Sequence, residues 1–207
     1  LQHNSLLFHE FLRTIFLETN QEQLYDNLLL NIAKENTYKI DIQVETTQII
    51  DQPSKVFALA MSGEELDMLN FFTHKKAKSK KYITDVFITI NDIVILIEVK
   101  RDNTDCRNQL YQQVAAFVET VNDKTVFPLD FNWKKLMQLV NRVNGFQSLI
   151  KSEDNQLKDF IDLIQTFNPH WLPIPPIASI SNNNTEDSKF KINQRLNAAL
   201  KNIEREG

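Results

Sequence analysis

The chain has 207 residues, 42% hydrophobic and 24% charged, so it can bury a sizeable core and lacks the composition of a disordered protein. Its three glycines stand far apart, which excludes P-loop, dinucleotide-binding and protein-kinase glycine loops, because each of these needs clustered glycines. The net charge is -4, so any contact with nucleic acid or an anionic membrane requires a local basic patch.

The cysteine and histidine content and the lengths of the apolar runs exclude several further classes of protein. The single cysteine, Cys106, permits neither an internal disulfide nor a cysteine-rich zinc site, and it fits a reducing, cytoplasmic setting. The four histidines have no zinc-site spacing. No apolar run approaches the roughly 20 residues that cross a bilayer, so we expect no membrane contact. The first residues include no initiator methionine and lack signal-peptide features, so we expect either a trimmed chain or a domain cut from a longer one.

The first third of the chain predicts two helices and then two strands. Apolar residues from Leu6 to Phe16 recur with helical spacing. Thr19 to Glu22 reads as a capping box that opens a second helix, continuing to about residue 34. Residues 38–44 alternate like a half-exposed strand, and residues 55–60 are its predicted hairpin partner. Residues 63–72 are predicted to form a short helix.

The middle of the chain contains the clearest pattern. Residues 82–90 and 93–99 predict two strands joined by the Asn91-Asp92 turn, and the second is apolar enough to be buried on both faces. Residues 104–121 predict a helix with one apolar stripe, and residues 124–130 a further strand. This order predicts an α/β fold with a central sheet flanked by helices.

The C-terminal third predicts helices alone. Two are amphipathic, over residues 133–143 and 155–167, and a last helix spans 190–205. Prolines at 173–176 end regular structure, and residues 179–188 read as a flexible loop. We therefore expect a core with N-terminal helices over residues 1–131, a helical extension packed on it over 132–178, and a flexible loop with a C-terminal helix over 179–207.

Three ionisable residues of the predicted hairpin are expected to converge. Glu98 and Lys100 share a strand face because side chains alternate, and antiparallel pairing brings Asp85 close to Glu98. Two carboxylates suit Mg²⁺ or Mn²⁺, which use few protein ligands, and the Val99 carbonyl could add another. The ammonium could hold an attacking water or stabilise negative charge on a reacting phosphate. The alternative is a solvated Glu98–Lys100 ion pair, which contributes about 0.2–1 kcal/mol.

The pattern of Asp85 followed by Glu98-Val99-Lys100 and a glutamine-bearing helix resembles the PD-(D/E)XK nuclease superfamily, which has the restriction-endonuclease-like fold. The resemblance covers residues 19–131 and is best at 82–117. It implies a mixed central sheet flanked by helices, with additional C-terminal helices in this chain. It also implies that Asp85 and Glu98 bind metal and that Lys100 assists catalysis. Thr84 stands where the family usually has proline.

Two more residues match the family pattern by position. Glu22 corresponds to the acidic residue that many members carry in the helix before the sheet, which would make it a metal ligand, but capping explains it equally well. Gln113 corresponds to a glutamine that follows the lysine in several members and is assigned to the catalytic set. Phe117 stands where those members have tyrosine. Other glutamines of this helix, Gln109 and Gln112, read as ordinary helix residues.

A lysine-rich run precedes Asp85 and is the candidate nucleic-acid contact. A solvated loop is the alternative reading. The nucleic-acid-binding set is Lys75, Lys76, Lys78, Lys80, Lys81, Arg101 and Arg107.

The expected function is Mg²⁺- or Mn²⁺-dependent hydrolysis of DNA, more as an endonuclease than an exonuclease, in bacterial restriction, defence or repair. The alternative is an inactive nuclease-like domain that binds nucleic acid or protein. Expected partners are DNA, a second copy of the chain, because cutting both strands is easiest with two related sites, and a downstream domain or partner protein.

Overall fold

The computed structural model describes residues 4–32, 38–45, 53–76, 82–118, 120–150, 155–174 and 186–206. The strands are β1 (Tyr38–Glu45), β2 (Lys55–Met61), β3 (Ile83–Ile90), β4 (Ile93–Val99) and β5 (Val126–Asp130). The helices are α1 (Ser5–Glu18), α2 (Glu22–Ile32), α3 (Arg107–Phe117), α4 (Trp133–Leu149), α5 (Gln156–Phe167) and α6 (Glu186–Glu206).

The strands form one mixed sheet in the order β1-β3-β4-β2-β5. The β3–β4 hairpin is confirmed, with Ile90 opposite Ile93. The predicted hairpin of the first two strands is wrong: β1 pairs antiparallel with β3, while β2 lies parallel to both β4 and β5. Burial explains this. Every residue of β2 after Lys55 is buried, so β2 needs a strand on each side, whereas β1 has no buried residue and occupies an edge.

Helices cover both faces of this sheet. On one face, Ala58 and Leu96 pack in a core cluster with Leu110 and Val114 of α3. On the other face, the Phe57 ring meets Phe16 of α1 edge-on, with 4.8 Å between ring centroids. The predicted α/β class, with a mixed central sheet flanked by helices, is therefore confirmed.

The turn between α1 and α2 corrects the predicted capping box. The Thr19 hydroxyl donates to the Ile15 carbonyl at 2.7 Å, so Thr19 ends α1 instead of starting α2. Asn20 has a φ of 55°, and the Gln21 N–H donates to the Phe16 carbonyl at 2.7 Å, which is a Schellman turn. The apolar stripe of α1 is confirmed.

Other predicted boundaries shift. The predicted helix over residues 63–72 is wrong, because these residues contain no α-helix. Their last two residues are the start of a 3₁₀ turn, Phe71–Thr73. Helix α3 ends at Phe117, four residues before its predicted end, although Val121 still packs on the core cluster. The three C-terminal helices are confirmed with α4 longer than predicted. The proline stretch beyond residue 174 and residues 179–185 of the predicted flexible loop lie outside the described residues. The last three residues of that predicted loop, 186–188, are helical and begin α6.

One residue of β1 has an unusual backbone. The β1–β3 register runs through Ile42–Val86 and Val44–Thr84, and between these pairs Gln43 has a φ of 53°. A residue with a Cβ is disfavoured in this left-handed region, so β1 is locally strained beside Asp85.

The chain divides into two compact units, residues 1–139 and 140–207. The first contains the whole sheet with α1, α2 and α3. The second contains α5 and α6, with Leu157, Ile164 and Trp171 buried. The predicted division at residue 131 stays a prediction. Within the described residues, none of the helices has the length and apolar character needed to traverse a bilayer.

Candidate active site at one edge of the sheet

The predicted site residues meet where three parallel strands end. Strands β4, β2 and β5 run in the same direction, with Glu98, Ala60 and Asp130 in register across them. Strand β3 runs the opposite way and begins at this edge. The last β3–β4 pair is Val86–Ile97, so Asp85 and Glu98 are the next residue on each strand.

Glu98 is the centre of the cluster. It is fully buried, yet both of its carboxylate oxygens accept hydrogen bonds. Oε1 lies 2.6 Å from Lys100 Nζ, and Oε2 lies 2.7 Å from Gln113 Nε2. Burial raises the pKa of Glu98 above its usual value, and the two hydrogen bonds counteract part of that rise. The negative charge of Asp85 raises it further.

Asp85 faces the main chain that follows Glu98. Its Oδ2 accepts a hydrogen bond of 2.8 Å from the Val99 N–H, and the side chain is half-buried. The predicted ligand position Val99 therefore contacts the cluster through its amide. Asp85 and Glu98 thus lie together, as the sequence predicts.

Lys100 is held at four points. Its ammonium donates to Glu98 Oε1 and, at 3.1 Å, to Gln109 Oε1. Its main-chain N–H donates to the Met61 carbonyl at 2.7 Å, and its carbonyl accepts from the Trp133 indole at 2.8 Å. Burial lowers the pKa of Lys100, but pairing with Glu98 outweighs this and leaves the pKa raised. The ammonium is therefore charged at neutral pH, with a side chain 27% exposed.

Gln113 joins α3 to two strands. It is fully buried, and Nε2 donates to the Ile83 carbonyl at 2.9 Å as well as to Glu98. Its Oε1 is buried with no hydrogen-bond partner among the described residues. The sequence predicts Gln109 to be an ordinary helix residue, but the structure places it in the cluster through its hydrogen bond with Lys100. Its position four residues before Gln113, on the same helix face, is the signal that could have identified it.

Other predicted residues lie apart from this cluster or outside the described chain. Glu22 is the exposed first residue of α2, which packs on α1. Arg101 is exposed directly after Lys100. Arg107 at the start of α3 is engaged, with Nη2 2.7 Å from Asp105 Oδ2. Lys75 and Lys76 are exposed, and the remaining residues of the basic run, Lys78, Lys80 and Lys81, lie outside the described residues.

Cys106 has no reactive character, although the charges of Glu98 and Lys100 act on its thiol. The thiol is fully buried, and burial raises its pKa to about 11. It is therefore protonated at neutral pH, and a thiolate nucleophile is not available.

The metal-binding capacity of the cluster rests on two carboxylates. Across the part of the chain that the structure describes, there is no group of three or more His, Cys, Asp or Glu side chains arranged to hold a metal. Mg²⁺ commonly takes only one or two protein carboxylates and fills its remaining positions with water and phosphate oxygens. Asp85 and Glu98 match that minimal set.

Comparison with known proteins gives no match to a family model, a curated protein or a solved structure. The two carboxylates can hold a cation, and the charged ammonium beside them can donate a hydrogen bond to an anionic oxygen at the same place.

Proposed function

We propose that this chain is a Mg²⁺- or Mn²⁺-dependent nuclease of the PD-(D/E)XK type that hydrolyses phosphodiester bonds in DNA. The observation that supports it most is the meeting of Asp85, Glu98, Lys100 and Gln113, which come from β3, β4 and α3. The Glu98 carboxylate is buried between an ammonium and an amide, which is a costly arrangement for a fold to keep without a function.

Asp85 and Glu98 would hold the metal ion. Each Glu98 oxygen accepts one hydrogen bond from a side chain and has a second lone pair, and Asp85 Oδ1 accepts none from the described residues. The bound ion would neutralise phosphate charge and lower the pKa of a water molecule.

The chain's own residues orient the reaction. Lys100 has three ammonium protons, two of which go to Glu98 and Gln109, so one remains to donate to a phosphate oxygen or an attacking water. Gln113 fixes the Glu98 carboxylate from the opposite side. An endonuclease acting in bacterial restriction, defence or repair, cytoplasmic and working as a homodimer, fits this chemistry.

The test is DNA cleavage by the wild type and by Lys100→Ala, on plasmid and single-stranded DNA with Mg²⁺ or Mn²⁺. We expect the variant to lose about 100-fold or more in rate. Its melting temperature should also fall, because the buried Glu98 carboxylate loses its ammonium, so cleavage is compared at a temperature where circular dichroism shows both proteins to be folded. Lys39→Ala is the matched control, because Lys39 is an exposed lysine on β1 paired with Asp41. Equal cleavage by wild type and Lys100→Ala would refute this mechanism.

The geometry of Glu98 also favours a second candidate, an inactive domain that binds nucleic acid or protein. Both Glu98 oxygens are already hydrogen bonded to Lys100 and Gln113, so the Glu98 carboxylate has protein partners without a metal ion. Metal binding separates the two functions. An ion that binds only the folded state and is present at a concentration of 100 times its Kd stabilises the fold by about 2.7 kcal/mol. Mn²⁺ should therefore raise the melting temperature of the wild type but not that of Asp85→Asn. No shift and no cleavage would favour the binding domain.

A further inference from the structure

Residues 64–76 belong to the described part of the loop between β2 and β3, and hydrogen bonds from α3 hold them at two points. Arg107 Nη1 donates to the Asp67 carbonyl at 2.6 Å, near the start of the loop. Gln112 Nε2 donates to the Lys75 carbonyl at 2.8 Å, near its end. The part of the loop between these two anchors is therefore positioned without any ligand.

This loop nevertheless exposes large apolar side chains. Phe71 is fully buried in the core cluster, whereas the adjacent Phe72 is 37% exposed and Leu69 is 87% exposed. The Phe71 and Phe72 rings pack edge to face, with centroids 5.7 Å apart, so the buried ring supports the exposed one. Leu69 and Phe72 are thus exposed on a segment held at two points, which makes this surface a candidate for contact with a ligand.

Charge varies along the loop. The acidic residues, Glu64, Glu65 and Asp67, are among its first four residues, while Lys75 and Lys76 end it, and all five side chains are exposed. Phe72 is therefore closer in sequence to the lysines, three residues before Lys75, than to the acidic residues. An aromatic ring followed by lysines is the combination that binds unpaired nucleotides, through base stacking and phosphate contacts.

Helix α3 joins this loop to the candidate active site. Gln109 and Gln113 contact Lys100 and Glu98, and Gln112 on the same helix contacts the main chain of Lys75. The loop and the site are therefore attached to the same helical turns.

We propose that the 64–76 loop binds an unpaired nucleic-acid strand beside the active site, with Phe72 stacking on a base and Lys75 and Lys76 contacting phosphates. This rests on the proposed nuclease function and assigns its substrate as DNA with a single-stranded segment. In a duplex the bases are stacked on each other, so Phe72 would have no base face to contact.

The test is fluorescence anisotropy with a labelled oligonucleotide of about 12 nucleotides and with its matched duplex, in EDTA so that no cleavage occurs. We expect the wild type to prefer the single strand. Phe72→Ala should bind it about fivefold or more weakly, and Phe72→Trp should retain binding. The control is Leu17→Ala, because Leu17 is an apolar residue of α1 that is 43% exposed, and this variant should bind as the wild type does.

Salt dependence tests the lysines. Replacing Lys75 and Lys76 together by Ala should reduce the slope of log affinity against log salt by about 1.4. The proposal is overturned if the wild type does not bind the single strand, if it binds duplex equally well, or if Phe72→Ala binds normally. Each of these results is independent of the Lys100→Ala cleavage assay, so the two proposals fail separately.

Discussion

The Trp133 indole nitrogen donates a 2.8 Å hydrogen bond to the main-chain carbonyl of Lys100, so the first residue of α4 holds the residue that follows β4. The main-chain N–H of Trp133 also donates to the Ser62 carbonyl, just after β2, at 3.1 Å. The Lys100 N–H in turn bonds to Met61 at 2.7 Å. Two parallel strand ends and a helix start are thereby tied together around Lys100.

Trp133→Phe removes this indole donor and retains most of the ring. We expect the free energy of unfolding to fall by about 1 kcal/mol, because the Lys100 carbonyl loses its partner. For the proposed nuclease activity we also expect slower cleavage with unchanged KM, because Lys100 is less well positioned. Urea unfolding and steady-state kinetics measure both. Trp171→Phe is the control, since it leaves the bond to Lys100 intact. Wild-type kcat in Trp133→Phe would show that the bond does not position Lys100.

Glu98→Gln should destabilise the fold by about 2–4 kcal/mol. The substitution leaves the Lys100 ammonium without its carboxylate, and one end of the new amide must present a donor to Lys100 or to Gln113. Urea unfolding at pH 7 measures the change. The exposed Glu64→Gln should differ from the wild type by less than about 0.5 kcal/mol. A similarly small change in Glu98→Gln would mean that the carboxylate is not paired in solution.

Asp130→Asn tests the pH dependence of a buried carboxyl group. Burial raises the folded-state pKa of Asp130 above its usual value of 3.8. The folded state then binds a proton more tightly than the unfolded state, so the wild type loses stability as pH rises from about 4 through the folded-state pKa. Relative to the wild type, Asp130→Asn should therefore become more stable between pH 4 and pH 7. Chemical unfolding at several pH values measures the trend.

Asp105→Asn is the control of opposite sign. Hydrogen bonding from Arg107 holds the pKa of Asp105 below 3.8, so its contribution to stability is present above that value and is lost as pH falls through the folded-state pKa. The loss of stability in Asp105→Asn should be constant from pH 5 to pH 7. These assignments would be contradicted if the stability of Asp105→Asn relative to the wild type rose between pH 5 and pH 7. They would also be contradicted if the stability of Asp130→Asn relative to the wild type did not change between pH 4 and pH 7.

Gln43 should prefer glycine to a branched residue. At a φ of 53° glycine has no Cβ penalty, so Gln43→Gly should be more stable than Gln43→Val by about 1–2 kcal/mol. The neighbouring Ile42 is exposed in the same strand. At that position Ile42→Gly should be less stable than Ile42→Val by about 0.5–1 kcal/mol. If valine were preferred at both positions, Gln43 would be extended in solution.

The features that were predicted correctly depend on residues close in sequence. The β3–β4 hairpin follows from a two-residue turn between apolar runs, and its register alone brings Asp85 next to Glu98. The partners of β2 could not be predicted in this way, because they lie in β4 and β5, far along the chain. The capping box failed for a related reason: Thr19 can end one helix as readily as it can start another, and Asn20 decided between them.

The sequence predicts the charged residues of the candidate site but only some of its uncharged ones. Asp85, Glu98 and Lys100 stand out because charges at the end of an apolar strand are unusual. Gln109 and Trp133 do not stand out, because a helical glutamine and a tryptophan are common where no site exists. Their contacts with Lys100 depend on where α3 and α4 pack, and that is fixed by the whole core.

The position of β2 in the sheet has a consequence for synthesis of the chain. Both neighbours of β2 follow it in sequence, so residues 55–61 leave the ribosome before either partner exists. An unpaired apolar strand of this kind is prone to aggregate, and it stays half-paired until residue 130 has emerged. The β3–β4 hairpin is local and can form first, which makes it the template on which β2 docks.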